Sequence, residues 1–310
     1  MKSTGSHQEA ADHASALMQK RKWKSASAVL MPYLRITPVD RTVAALADEC
    51  VNRGSWIAFH TRGNSIAIVR PDGSDFRRVT EAGIDSYPLW SPNGRHIAFN
   101  DYTGQGHDLR VTDISGNTTW CVSCPEEQLD AFHFVWKPSG RLFYRHKNGC
   151  ASSVASDGSD TRLEDLAPWK GQIPSWSPDG TRSAFVLRET LYLAKSDGSD
   201  SKALTQIKTI NFAPLSWSPD SGRVVVTAWG GKHSKILMVD LQTISIERLS
   251  GEDNRSWPSW SPDGRRIVYW SAPTFPNSIC VIPSVGGTPY KIGPNEHETD
   301  PRWGPIIDEV

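Results

Sequence analysis

The stretch "RSWPSWSPDGRRIVYW", residues 255–270, contains an aromatic pair, a tight-turn tetrapeptide and a short apolar segment. In the tetrapeptide, residues 261–264, proline presets φ at the second turn position, aspartate tolerates the third and glycine takes the strained fourth. The apolar segment, residues 266–270, is rich in β-branched and aromatic side chains, which favour a strand. The stretch therefore predicts a strand ending at Trp260, a tight turn and a second strand.

Similar units recur along the chain, each aligned on a tryptophan. They read "YPLWSPNGRHIAF" at Trp90, "HFVWKPSGRLFY" at Trp136, "IPSWSPDGTRSAF" at Trp176, "PLSWSPDSGRVVV" at Trp217, "WPSWSPDGRRIVY" at Trp260 and "DPRWGP" at Trp303. Successive tryptophans are 46, 40, 41, 43 and 43 residues apart. A period in the forties with short strands and turn signals indicates a propeller or another repeat array.

Each unit contains signals for four strands. After the segment that follows the tryptophan turn come a polar loop, a strand such as "SICVIP" (278–283), a second turn such as "DGSD" (72–75) and a last short strand. Four-stranded units at this period are propeller blades. Because one blade buries little surface alone, we expect each tryptophan to fill the space between neighbouring blades.

The two ends of the repeat region complement each other. Residues 54–80 carry signals for three strands without a preceding tryptophan turn, and residues 300–305 carry only the first strand. We therefore predict an all-β, six-bladed β-propeller over residues 54–310, in which the N- and C-terminal strands share one blade and leave no open sheet edge. The units resemble the Trp-Ser-Pro-Asp-Gly repeats of the TolB-like six-bladed propellers.

The N-terminal segment has a different composition. Residues 1–36 are polar and charged, and we expect them to be disordered or loosely packed. Residues 37–53 predict a helix with Thr37 as N-cap and Asp40 near its positive end. Its apolar stripe predicts packing on the propeller; the alternative is a helix that docks a partner.

The overall charge restricts the partners. Lys+Arg and Asp+Glu both number 34, so the formal net charge is zero and nothing indicates a nucleic-acid partner. No apolar run reaches the length of a membrane span, and the first ten residues lack the apolar core of a secretory signal. The absence of a signal favours the cytoplasm, but the proteins that the repeats resemble are often periplasmic, so the sequence leaves the compartment open. We expect a monomer.

Strand direction assigns the connections between strands to two faces. The Ser-Pro-Asp-Gly and Asp-Gly-Ser-Asp turns share one face, here called the turn face. The connections into each tryptophan strand and those between the second and third strands share the other, the loop face. The loop face is irregular, which is typical of a binding surface in repeat proteins. We predict that the following residues ring the channel mouth there and bind a ligand: His60, Tyr87, Asp130, His133, Arg145, His146, Arg188, Trp229, Trp257, Trp270 and Asp300.

Two function classes are consistent with this surface. The resemblance to TolB-like propellers implies a non-catalytic module that binds a protein, a peptide or a small polar ligand. The alternative is an enzyme, because related propellers such as oligogalacturonate lyases act on sugars at the channel mouth. In that case we expect His133 or His146 as base and Arg145 or Arg255 to stabilise an anionic intermediate.

Local motifs give the enzyme no support. The chain has no Gly-x-Ser-x-Gly elbow, no His-Glu-x-x-His and no phosphate- or dinucleotide-binding glycine loop. We expect no cofactor, although His133, His146 and Asp130 could hold a divalent metal at the channel mouth if they converge. Cys121 and Cys124 form a Cys-x-x-Cys pair, for which a local disulfide or two free thiols fit better than a zinc site.

Overall fold

The structure is a computed structural model of the 310-residue chain. It describes residues 3–35, 40–81, 83, 85–104, 106–123, 129–208, 215–229, 233–249, 255–272, 277–293 and 298–308. The expected helix start at Thr37, and Cys124 of the Cys-x-x-Cys pair, lie outside these residues.

Six four-stranded antiparallel sheets make up the propeller. Blade 1 contains β1 (Ile57–His60), β2 (Ile66–Val69), β3 (Arg77–Arg78) and the last strand, β24 (Thr299–Trp303). Blade 2 contains β4 (Asp85–Trp90), β5 (His96–Tyr102), β6 (His107–Asp113) and β7 (Thr119–Cys121). Blade 3 contains β8 (Leu129–Trp136), β9 (Leu142–His146), β10 (Ala151–Val154) and β11 (Arg162–Glu164).

The other three blades follow the same order. Blade 4 contains β12 (Ser175–Trp176), β13 (Arg182–Leu187), β14 (Thr190–Lys195) and β15 (Lys202–Gln206). Blade 5 contains β16 (Ser216–Trp217), β17 (Arg223–Trp229), β18 (Ser234–Asp240) and β19 (Ile246–Arg248). Blade 6 contains β20 (Arg255–Trp260), β21 (Arg266–Ser271), β22 (Ser278–Pro283) and β23 (Tyr290–Ile292). The predicted six-bladed propeller, closed by N- and C-terminal strands in one blade, is confirmed.

The Ser-Pro-Asp-Gly turns have the expected geometry. In blade 6, Gly264 has φ +71° and its amide donates to the Ser261 carbonyl at 2.9 Å. The Ser261 hydroxyl donates to Asp263 and accepts from the Arg266 amide at 2.9 Å. These hydrogen bonds within the turn fix the hairpin between the first two strands of the blade.

The repeat tryptophans pack between blades. Trp260, only 4% exposed, lies in one apolar cluster with Ile236 of blade 5 and Ile267 of blade 6. The indole nitrogens of Trp90 and Trp136 donate to carbonyls of the inner strand of the preceding blade, at 3.1 and 3.0 Å. These tryptophans therefore stabilise the ring of blades.

Residues 3–35 differ from the expectation of a disordered or loosely packed extension. They form α1 (Ser3–Gln19), α2 (Trp23–Leu30) and a 3₁₀ turn (Tyr33–Arg35). The reason is a narrow apolar stripe within the polar sequence: Ala14 and Met18 are buried, in the same cluster as Trp23.

The third helix, α3, is Arg41–Gly54. Its N-cap is Asp40, whose carboxylate accepts from the amides of Thr42 and Val43 at 2.8 and 3.1 Å. Arg265, beside the blade 6 turn, donates to Asp48 of α3 at 3.0 Å. α3 therefore packs beside the blade 6 turn, on the turn face.

A second 3₁₀ turn, Ala167–Trp169, precedes blade 4. None of the helices in the described residues combines the length and apolar character that a membrane crossing requires.

Candidate functional site

Four inner strands are distorted where they approach the channel mouth on the loop face. Tyr87, Phe132, Trp257 and Asp300 all have positive φ, at 62°, 71°, 62° and 53°. The pairing register shifts beside each of them, as it does at a β-bulge. Positive φ is strained for residues other than glycine and clusters at functional sites. The four bulges therefore mark the channel mouth as the candidate site.

The bulges bring three aromatic side chains together, here called the central aromatic cluster: Tyr87, Phe132 and Trp257. The ring of Tyr87 meets those of Phe132 and Trp257 edge to face, with centroids 5.6 and 5.3 Å apart. Tyr87 is 2% exposed, whereas the other two rings are half-buried. Tyr87 is thus the buried centre of the cluster, and Phe132 and Trp257 keep surface that a ligand could contact.

A buried arginine lies under this cluster. The Arg302 guanidinium carbon is 5.4 Å from the centroid of the Tyr87 ring and 5.6 Å from that of Trp257. Burial lowers the pKa of Arg302 and raises the pKa of the neighbouring Asp300 carboxyl, while each charge opposes the shift of the other. The channel therefore contains a buried cation that lies near two aromatic rings.

His60 lies beside this group on blade 1. Its Nδ1 is 3.0 Å from Thr299 Oγ1, and burial lowers its pKa although the Asp300 carboxylate opposes the change. A lowered pKa favours the neutral imidazole, which can both donate and accept a hydrogen bond. His60 and Asp300 therefore lie close together, and the sequence pattern predicts both at the channel mouth on the loop face.

Blade 3 supplies a charged group at the same mouth, here called the Asp130 group: Asp130, His133 and Arg145. Arg145 Nε donates to Asp130 at 2.8 Å, and His133 Nδ1 lies 3.3 Å from the other oxygen of that carboxylate. Arg145 Nη1 also donates to the Gly171 carbonyl at 3.2 Å, which links blade 3 to the start of blade 4. The three predicted residues therefore converge, with side chains 19–31% exposed.

His146 does not join them. It is 4% exposed, and its Nε2 lies 2.9 Å from the Ser152 hydroxyl. Adjacent strand residues point to opposite sides of a sheet, so His146 lies on the other side of the blade 3 sheet from Arg145, where its ring is 5.1 Å from that of Tyr144. The prediction that His146 borders the channel mouth is therefore not met.

The remaining predicted residues are spread around the loop face. Arg188 is exposed in the two-residue turn between β13 and β14, and Trp229, 49% exposed, ends β17. Trp270 is half-buried in β21, paired with Ser256. Arg255 lies with its guanidinium carbon 5.4 Å from the ring centroid of buried Tyr269. These side chains surround the mouth without forming one enclosed group.

Two residues of the site have no counterpart in the sequence-based prediction. Phe132 and Arg302 complete the centre of the channel, yet each lies in a segment whose local pattern reads as an ordinary strand. Their position follows from the bulges and from the convergence of inner strands, so no signal in the sequence marks them. Within the described residues, no three His, Cys, Asp or Glu side chains are grouped as metal ligands.

Comparison with known proteins gives sequence similarity over short or partial regions. No protein-family model matches the chain. It is 37% identical over 82 residues, 26% of its length, to the Tol-Pal system protein TolB 1 of Novosphingobium aromaticivorans. It is 22% identical over 300 aligned residues, 74% of its length, to dipeptidyl-peptidase 5 of Porphyromonas gingivalis. The chain spans less than half of these curated relatives, 18% of TolB 1 and 43% of the peptidase.

Structural similarity covers much more of the chain. The crystal structure of TolB from Acinetobacter baumannii superposes with a TM-score of 0.68 at 17% identity, covering 87% of this chain and 74% of that one. The chain therefore shares a six-bladed β-propeller fold with TolB. At this identity the similarity concerns the fold, so the chemistry of the TolB-like propeller has to be argued from its own residues.

Proposed function

We propose that this TolB-like propeller is a non-catalytic binding module that holds a protein or peptide partner at the loop-face mouth of its channel. The observation that carries the proposal is a series of contacts between aromatic rings. These contacts connect blade 3, which also contains Asp130, with blades 2 and 6. Rings follow one another from Tyr102 through His107 to Phe132, with centroids 5.1 and 6.0 Å apart, and Phe132 contacts the central aromatic cluster.

The exposure of these side chains favours an extended partner. Tyr102 is 39% and Trp229 49% exposed, and they lie on different blades. Aromatic and arginine side chains are the residues that contribute most to binding energy at protein interfaces. The Asp130 group adds fixed donors and acceptors beside them, so an extended peptide could contact aromatic rings and hydrogen-bond to one charged group at once.

The fold is consistent with this role. The similar protein TolB 1 is named as a protein of the Tol-Pal system. The same architecture serves many functions, so this similarity supports the proposal without identifying the partner.

Peptide display provides the test. We expect immobilised protein to enrich peptides from a phage library in which each peptide is fused through its C-terminus. Tyr102→Ala and Arg145→Ala should each weaken the enriched peptides at least about tenfold by calorimetry. Tyr290→Ala is the matched control, because Tyr290 is 42% exposed on the outer strand of blade 6. Equal losses for Tyr102→Ala and Tyr290→Ala would exclude the loop face as the binding site.

A second candidate function rests on the pair His133–Asp130. The carboxylate contacts His133 Nδ1, so it can orient the imidazole as a candidate base, with Arg145 nearby to stabilise negative charge. His146, the other predicted base, is buried against Ser152. If the protein is an acid–base enzyme that acts on an acidic sugar polymer, the variant His133→Gln should lose turnover and keep its affinity for the substrate. Turnover of uronate oligomers by the wild-type protein, lost in that variant, would replace the binding-module proposal.

A further inference from the structure

The turn face of the channel opens into a cavity of about 410 Å³, here called the vestibule. It is lined mainly by tryptophan, proline and aliphatic side chains from blades 1 to 5, among them Trp90, Trp136, Trp176, Trp217 and Trp303, together with three serines and Arg302. A cavity of this volume is in the range of small-molecule sites. The loop-face site described above lies at the opposite mouth.

The walls of the vestibule offer carbon surface to a ligand. All five indole N–H groups are already used: those of Trp90, Trp136 and Trp217 bond to carbonyls of the preceding blade at 3.0–3.1 Å. Those of Trp176 and Trp303 bond to the Ser196 carbonyl at 2.8 Å and to the Ser55 hydroxyl at 2.9 Å. The tryptophan faces that remain are apolar.

The serines of the lining are also occupied. Ser175 donates to the Leu215 carbonyl at 3.1 Å, Ser177 donates to Asp179 at 2.6 Å, and Ser216 accepts from the Trp260 amide at 3.1 Å. A ligand in the vestibule therefore finds few unused polar groups on the walls.

Arg302 is the exception. It is 6% exposed, and its Nη1 donates to the Pro301 carbonyl at 3.0 Å and to the Trp257 carbonyl at 3.4 Å. Its Nη2 has no hydrogen-bond partner among the described residues. Within those residues Arg302 makes no direct ion pair: Asp300 acts on it as a nearby charge, and the Tyr87 hydroxyl interacts with the guanidinium. A buried guanidinium without a paired anion is costly, and a planar carboxylate is the group that its geometry fits.

We infer that the vestibule binds an apolar group that carries a carboxylate. The carboxylate accepts from Arg302 Nη2, and the apolar body packs among the tryptophan rings. Two sources share this chemistry: a small aromatic or aliphatic acid, and the C-terminal carboxylate of a chain that ends in an apolar residue.

Calorimetry of the unmodified protein tests the inference. We use 3-phenylpropionate with its neutral isostere 3-phenylpropionamide, and acetyl-Ala-Ala-Phe with a free or an amidated C-terminus. At least one acid should bind about tenfold more tightly than its amide, because only the acid supplies an anion. Binding of phenylpropionate alone identifies a small acid as the ligand type, and binding of the free-acid peptide identifies a chain terminus. Equal binding of acid and amide, or no binding of either acid at about 10 mM, overturns the inference.

Two arginine variants locate the site. Arg302→Met should abolish the preference for the acid over the amide. Arg223→Met should keep it, because Arg223 stacks on Trp260 with its guanidinium carbon 4.9 Å from the ring centroid but does not line the vestibule. Circular dichroism checks that both variants are folded. If Arg302→Met does not fold, the comparison of acid and amide on the wild-type protein still tests whether the vestibule prefers a carboxylate. If Arg302→Met folds and keeps the preference for the acid, the assignment to Arg302 is wrong.

Discussion

The indole nitrogen of Trp303 donates to the Ser55 hydroxyl at 2.9 Å, and both residues are buried. Trp303 ends the last strand, and Ser55 directly follows α3 and precedes the first strand. In the sheet, Trp303 pairs with Ile57. One side-chain hydrogen bond therefore reinforces the closure of the ring, at the junction of its first and last strands.

Removing the acceptor of this bond should destabilise the protein. We expect Ser55→Ala to lower the free energy of unfolding by about 1–3 kcal/mol, because it leaves the buried indole N–H unpaired. The measurement is urea denaturation. In Trp303→Phe, which lacks that N–H, the additional effect of Ser55→Ala should be smaller; full additivity of the two changes would show that the hydrogen bond does not contribute to closure.

The repeat tryptophans should matter for stability in proportion to their burial. Trp260→Ala should lower the free energy of unfolding by about 3–5 kcal/mol, since the indole lies between blades 5 and 6. Trp229→Ala is the control and should change it by about 0.5 kcal/mol or less, because that side chain is half exposed. Trp257→Ala should fall between the two, because its half-buried ring contacts Tyr87. Chemical denaturation gives all three values, and equal losses for Trp260 and Trp229 would contradict the structural role of the repeat tryptophan.

A buried carboxyl in blade 2 predicts a pH dependence. Asp85 is paired across the sheet with Asp101, and Asp101 forms an ion pair with Arg110 at 2.8 Å. Burial, reinforced by Asp101, raises the pKa of Asp85 from 3.8 to about 6. The folded state then holds its proton more tightly than the unfolded state, so stability falls as the pH rises from about 4 to about 6.

The variant Asp85→Asn removes this titration. It should be more stable than the wild type at pH 7.5, by on the order of 1–3 kcal/mol, and should show no such gain at pH 4. Thermal melts across this pH range measure the difference, with Glu247→Gln on an exposed outer strand as the matched control. A gain of the same size at both pH values would mean that titration of Asp85 is not its cause.

The Asp130 group should affect binding more than stability. Asp130→Asn weakens the contacts with Arg145 and His133, which are partly exposed, so we expect the melting temperature to change little. The affinity for peptides selected on the loop face should fall at least about tenfold, because Arg145 and His133 lose the carboxylate that positions them. Calorimetry with the selected peptides measures this, and unchanged affinity would remove the Asp130 group from the proposed site.

Much of the loop-face site could be predicted from sequence, and the failures have physical causes. Asp130, His133 and Arg145 were predicted together because strand parity assigns their loops to one face. The sequence pattern assigns His146 to the same loop. Because side chains alternate along a strand, His146 lies on the other side of the sheet from Arg145 and is buried against Ser152. The sequence predicts Tyr87 at the rim, and it lies instead in the buried centre, at a bulge where its φ is +62°.

The sequence by itself determined the six blades, the tight turns and the closure between the two ends. Those features depend on local turn chemistry and on a tryptophan repeated at a nearly constant interval, and both can be seen in the order of the residues. Only the tertiary structure decided that α1 and α2 pack through an apolar stripe, that four inner strands bulge at the channel, and that Arg302 lies buried beside aromatic rings. These features arise from contacts between residues on different blades or between the two ends of the chain, and no local pattern records which distant side chains will meet.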